Sequence, residues 1–154
     1  MRPGLLLRPA RLAEKPALDD LCFRAKAHWG YDAEFMALSR DALRVPDAAI
    51  LEGLAFVAAE GERPLGVAAL DLPPIGPALL DLLFVEPAEI GTGIGRMLFR
   101  LSADTARTQG VAQLDIHADP FAAAFYERMG ACRIGSVPSG VIPGRSLPLY
   151  RLEL

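Results

Sequence analysis

Apolar positions along this 154-residue chain fall into short runs of two periods, separated by proline and glycine. Leu5-Leu6-Leu7, bounded by prolines, predicts a first short strand. Leu18, Leu21, Cys22, Ala25 and Trp29 recur at helical spacing behind Pro16, and Gly30 supplies a stop, so a first helix is expected there. Phe35, Leu38 and Ala42 continue a helical period from Tyr31 to about Leu43, and Pro46 limits its extension. Residues 54–59 and 64–70 are apolar runs flanking the polar, glycine-containing Glu60-Gly61-Glu62-Arg63, which is the pattern of an antiparallel hairpin.

After the break at Pro73, Pro74, Gly76 and Pro77, residues 78–85 form a nearly continuous apolar strand, as expected where both faces are covered. A glycine-rich turn then opens a helix from about Gly95 to Thr108, with Ile94, Leu98, Leu101 and Thr105 on one face and Gly110 at its end. Residues 112–116 predict a strand. Asp119-Pro120 then starts a brief helix to Met129, with Ala122, Phe125 and Met129 inward, and residues 131–137 and 147–154 predict two closing strands. The expected order is β-α-α-β-β-β-α-β-α-β-β, an α/β fold with one mixed sheet and helices on its faces.

Composition narrows the class. With 52% hydrophobic and 23% charged residues in 154, the chain suits one domain spanning residues 1–154. The apolar run near the N-terminus is too short for a signal peptide, and no stretch approaches the roughly 20 apolar residues of a membrane span, so a soluble cytoplasmic protein with no membrane partner is expected. A net charge of −3 with scattered Lys and Arg argues against nucleic acid. Cys22 and Cys132 lie far apart without metal-ligand spacing, so no metal is expected and both read as buried small side chains.

The sharpest local signal is Val85-Glu86-Pro87-Ala88-Glu89-Ile90-Gly91-Thr92-Gly93-Ile94-Gly95-Arg96-Met97-Leu98, a strand passing through glycines into a helix. Such a turn lets backbone N–H groups converge where the helix start adds partial positive charge, which suits a phosphate or diphosphate. A dinucleotide fingerprint fails in both registers, because Arg96 or Leu98 stands at the third glycine position, although Asp115 lies at a suitable distance for a ribose contact. A Walker A loop fails for want of a Lys-Ser/Thr pair.

Val85-x-Pro87-x-x-Ile90-Gly91-Thr92-Gly93-Ile94-Gly95-x-x-Leu98 resembles the central motif of the GCN5-related N-acetyltransferases, a Gln/Arg-x-x-Gly-x-Gly/Ala turn. Asp119-Pro120-x-Ala122-x-x-Phe125-Tyr126-Glu127-Arg128-Met129-Gly130 resembles the next motif, where Phe-Tyr-Glu-x-x-Gly follows an Asn. The two occur in the family's order and separation. Ile90 departs from the usual Gln or Arg, which moves anion binding onto backbone amides, and Asp119 replaces Asn, so that an amide donor is lost.

The resemblance implies transfer of an acetyl group from acetyl-coenzyme A (CoA) to a primary amine by direct attack in a ternary complex. The pantetheine arm would lie along the fourth strand, pairing with backbone near Phe84 and Val85. Its diphosphate would sit on Gly91, Thr92, Gly93, Ile94, Gly95 and Arg96, with Asp119 and Phe125 as further cofactor contacts. Tyr126 stands where many members protonate the departing sulfur. A typical amine, with a pKa of about 10.4, must lose a proton to attack. Asp81, a carboxylate within an apolar strand, His117 and ordered water are the competing acceptors of that proton.

The helix junction Lys26-Ala27-His28-Trp29-Gly30-Tyr31 corresponds to one wall of the family's acceptor pocket, with Trp29 either stacking on a ligand or packing on the core. The proline-stiffened segment 136–148 reads as a loop beside it, from which Arg145 would reach a carboxylate or phosphate. A small-molecule or amino-acid-like amine is the expected acceptor. A protein N-terminal or lysine acetyltransferase and a non-catalytic CoA-binding module are the alternatives. Homodimers are common in the family.

Overall fold

The computed structural model describes residues 2–154. Strands β1 (Leu5–Pro9), β2 (Ala55–Glu60), β3 (Arg63–Asp71), β4 (Ala78–Val85), β5 (Gln113–His117), β6 (Cys132–Pro138) and β7 (Ser146–Glu153) form one sheet in the order β1-β2-β3-β4-β5-β7-β6. Every neighbouring pair is antiparallel except β4 and β5. The helices are α1 (Lys15–Ala27), α2 (Ala33–Ser39), α3 (Asp47–Leu51), α4 (Ile94–Thr108) and α5 (Ala123–Arg128). Among the described residues, no helix is long and apolar enough to cross a membrane.

The unbroken apolar runs of the hairpin have a packing cause. Ala55–Ala59 and Leu65–Leu70 are buried at every position, because α1 and α4 both pack on this part of the sheet. Strand β3 approaches α4 so closely that a Cβ on Gly66 would lie 2.8 Å from both Ile94 Cγ2 and Leu98 Cδ1. Glycine at 66 therefore sets how near the helix sits to the sheet. Ser102, buried on the same helix, donates its hydroxyl to the Leu98 carbonyl at 2.8 Å, so its polar atom has a partner.

Four details differ from expectation. The helix expected to reach Leu43 ends at Ser39 and tightens into a 3₁₀ turn over Asp41–Leu43. Its buried residues are Met36 and Ser39, while Leu38 is exposed. Helix α3, a single short element after Pro46, was not expected; the proline that stops one helix sits at the N-cap of the next. Cys22 is buried, but Cys132 is exposed at the start of the edge strand β6, which is exposed along most of its length. In α5 the fully buried residue is Tyr126, with Ala122, Phe125 and Met129 half-buried.

Gly66→Ala should destabilise the fold by about 1–3 kcal/mol, since the buried Ile94 and Leu98 side chains would have to shift to admit the methyl. Urea unfolding checks this through a lowered midpoint, and an unchanged midpoint would show that the α4–β3 spacing is slack.

Candidate active site

Strands β4 and β5 are paired only at Ala78 with Leu114 and Leu79 with Asp115, and then part. Beyond that point, the edge of β4 facing β5 has lost its partner, while the opposite edge stays paired to β3, with Phe84 opposite Val67 and Val85 opposite Gly66. The β3–β4 register slips by one residue, leaving Asp81 unmatched between Leu80 and Leu82. A bulge of this kind re-aims a side chain. Asp81 is consequently exposed rather than held within an apolar surface.

The parted strands open a cleft of about 1460 Å³. Its walls include Leu80 to Val85 of β4, then Glu89, Ile90, Gly91, Gly93, Gly95 and Arg96 of the turn, and Asp119, Phe125 and Tyr126 across from them. Within the turn, Ile90 N–H donates to the Pro87 carbonyl at 3.3 Å. The Thr92 amide and hydroxyl both donate to the Glu89 carbonyl, at 3.2 and 2.6 Å. Thr92 thus closes the turn, and both of its donors are engaged within it. Among the described residues, the amides of Gly91, Gly93, Ile94, Gly95 and Arg96 have no backbone partner, and the helix ladder starts with Met97 N–H to the Gly93 carbonyl at 3.1 Å.

Gly91 and Gly93 hold φ of 83° and 92°, a region costly for residues with a Cβ. The Ile94 side chain is in the core, and its amide is left without a backbone partner. Arg96 and, one turn later, Arg100 are exposed along the cleft. Arg100 was missed in the sequence, although its four-residue spacing from Arg96 places both on one helix face.

Tyr126 is 6% exposed and packs against Phe125 and Phe99, with ring centroids 5.2 and 5.9 Å away, yet it lines the cleft. Burial, reinforced by the charge of Asp119, pushes its pKa well above the ordinary tyrosine range, so the phenol holds its proton at neutral pH. Asp81 and His117 each lie two residues past the last β4–β5 pair, Leu79 with Asp115, so the split sets them at matching positions on its two sides. Although Asp81 is open to solvent, the cleft walls partly desolvate it, and that loss of water, then the charge of Asp71, raises its pKa, opposed by His117.

The other wall is an ion and aromatic cluster centred on Asp119. Its Oδ2 accepts from the Lys26 ammonium and, at 2.8 Å, from the Tyr31 hydroxyl, while its Oδ1 accepts from Phe121 N–H at 2.9 Å. Arg145 Nη2 donates to the Tyr31 hydroxyl at 2.7 Å and lies 3.8 Å from Asp119 Oδ2. Tyr31 and Phe35 stack with centroids 4.0 Å apart, and the Arg145 guanidinium sits over both rings, at 5.2 and 4.9 Å. Trp29 stacks on the exposed Phe121 at 5.5 Å and an interplanar angle of 6°.

Lys26, Trp29, Phe121 and Arg145 line the cleft. Tyr31 supports them from behind, and His28, exposed beside Trp29, is outside the lining. Burial alone would raise the Asp119 pKa, but Lys26, the Phe121 amide and Tyr31 outweigh it and hold it down. For Lys26, burial wins over attraction to Asp119, and Arg145 adds repulsion, so its pKa is lowered. The two shifts are compatible because the carboxylate has donors the ammonium does not share. Asp115, a residue the dinucleotide reading needed, is instead clamped by Arg151 through bonds of 2.7 and 2.9 Å.

Residues 39–137 match the family model of the acetyltransferase (GNAT) domain. Among solved structures, a GCN5-related N-acetyltransferase from Rhodopseudomonas palustris is similar over 100% of this chain and 98% of its own, at 22% identity and a TM-score of 0.80. The PaiA N-acetyltransferase from Thermoplasma acidophilum, in complex with coenzyme A, is similar over 97% of this chain and 99% of its own, at 13% identity and 0.79. The ribosomal-protein-S18-alanine N-acetyltransferase from Escherichia coli is similar over 97% and 93%, at 20% identity and 0.69. No curated protein sequence matches the chain.

Asp119→Ala should cost about 3 kcal/mol, because it leaves Lys26 and Arg145 facing each other with no carboxylate between them. The depressed pKa of Asp119 means its stabilisation is complete above the ordinary carboxylate value of about 3.9 and is lost as pH falls through the folded value. Urea unfolding across pH should therefore show a smaller acid loss in the variant than in the parent; parallel curves would contradict this role.

Proposed function

The chain belongs to the acetyltransferase (GNAT) family, and from that premise we propose that it transfers an acetyl group from acetyl-CoA to a primary amine of a small-molecule or amino-acid-like acceptor, by direct attack in a ternary complex. The observation that carries this reading is the group of five amides without backbone partners, at Gly91 and from Gly93 to Arg96, beside the unpaired edge of β4. The residues fit CoA: convergent N–H groups at a helix start suit a diphosphate, Arg96 and Arg100 add positive charge, and the free strand edge suits an amide-bearing arm. Ile90 offers no polar side chain, so the main chain carries the anion. Phe125 packs 3.4 Å from where a Cβ on Gly95 would be, which keeps α5 close to the turn.

Acetyl-CoA supplies an activated thioester. Tyr126 holds the proton for the departing sulfur, its burial keeping it a phenol. Asp81 and His117 flank the split where the acceptor amine would sit, and either of them, or water between them, takes up the amine's proton. The raised pKa of Asp81 makes it a better proton acceptor than an ordinary carboxylate. Lys26, Trp29, Phe121 and Arg145 would orient the acceptor. The Arg145–Tyr31 bond ties the β6–β7 loop to the α1–α2 junction across this side of the cleft, which favours a compact acceptor over an extended peptide. The cytoplasm, where acetyl-CoA is supplied, is the proposed setting.

An acetyl-CoA consumption screen over small amines and amino acids tests the activity, and turnover of none of them would count against it. With the best acceptor, Tyr126→Phe should lower kcat by about 10²-fold while leaving the acetyl-CoA KM nearly unchanged. Unaltered kcat would remove Tyr126 as the acid.

A further inference from the structure

We infer that Arg2 is a positioning residue for the diphosphate-binding turn, acting through Glu89; the inference rests on the reading of that turn given above. Glu89 is the acidic neighbour of Ile90, and it lines the cleft. Its carbonyl closes the turn by accepting from both donors of Thr92. Glu89 thus lines the same cleft as the amides of Gly91, Gly93, Gly95 and Arg96, which are to receive a diphosphate. Left free, its carboxylate would oppose the ligand in one of two ways: by repulsion, or by turning onto the amides itself, since both are anions suited to a helix start.

Arg2 holds the carboxylate away. Its Nη1 donates to Glu89 Oε2 at 2.5 Å and its Nη2 to Glu89 Oε1 at 3.1 Å, a two-pronged grip, while Nε donates to Glu60 Oε2 at 2.8 Å. Glu60 closes β2 opposite Leu5 of β1, so the fork is anchored on the sheet. The Glu89 side chain is only 12% exposed, and Arg2 holds its pKa below the ordinary carboxylate range. One guanidinium thus joins the sheet to the turn and neutralises the acid there. Arg2 is outside the cleft lining and acts through Glu89 rather than on the ligand. A lysine could carry the charge but not the fork.

Isothermal titration of CoA into the parent protein, Arg2→Ala, Arg2→Lys and the double variant Arg2→Ala/Glu89→Gln tests this. Arg2→Ala should raise Kd about tenfold, Arg2→Lys less, and the double variant should return to within about twofold of the parent. The Arg2→Ala defect should shrink between roughly 0.05 and 0.5 M salt, as a charge effect does. Parental affinity in Arg2→Ala overturns the inference. A defect that persists in the double variant also does so, because that variant lacks the same ion pair and separates loss of the strap from exposure of the acid. No binding by the parent protein overturns the reading of the turn, and this inference with it.

Discussion

Strands β4 and β5 part after two paired residues, and the cleft, the turn and the start of α4 are all arranged around that parting. A strand edge inside a protein needs partners for its N–H and C=O groups, and here β4 from Leu80 to Val85 has no strand on the side of β5. The bulge at Asp81, the turn after Val85 and the start of α4 all lie along that opening. Glycines place the helix start at its mouth. A positive φ at Gly93 lets the chain enter α4 directly, and the missing side chain at Gly66 lets α4 sit close on the sheet. The opening and the free edge of β4 are thus consequences of one topological feature, and the start of α4 brings its unpaired amides to it.

Charge is arranged around the same opening by pairs that span distant parts of the chain. Arg2 grips Glu89, Arg24 grips Glu86 through bonds of 3.2 and 2.7 Å, and Lys26 and Arg145 meet at Asp119. The first two secure the turn from either side. The third joins α1, the start of α5 and the β6–β7 loop into one wall. Segment 139–145 is itself closed: Ser139 N–H donates to the Arg145 carbonyl at 2.7 Å, and the Ser139 hydroxyl accepts from the Val141 and Ile142 amides. Arg145 is therefore held by its loop as well as by Tyr31, a preorganised rather than a flexible contact.

The strands, the long helix and the turn were legible in the sequence because each is written locally, in apolar period and in glycine and proline. The resemblance in the two motifs brought Gly91, Gly93, Gly95, Phe125 and Tyr126 to one site, and the fold joins them at one cleft. What the sequence did not show is non-local. No local pattern says that β7 inserts between β5 and β6, that Asp81 is a bulge, or that Asp119 faces Lys26 93 residues away. Thr92 and Asp119 fit the motif positions, yet their polar atoms are engaged within the protein. Phe121, exposed against Trp29, had no helical period to mark it.

Main-chain amides, rather than a side chain at position 90, are proposed to hold the diphosphate. Titration of ¹⁵N-labelled protein with CoA, followed by amide resonances, addresses it most directly. The account predicts that the largest shifts fall on Gly91, Gly93, Ile94, Gly95 and Arg96, with Ile90 and Thr92, whose amides are already bonded, moving less. Saturating CoA that leaves those five resonances in place would contradict it.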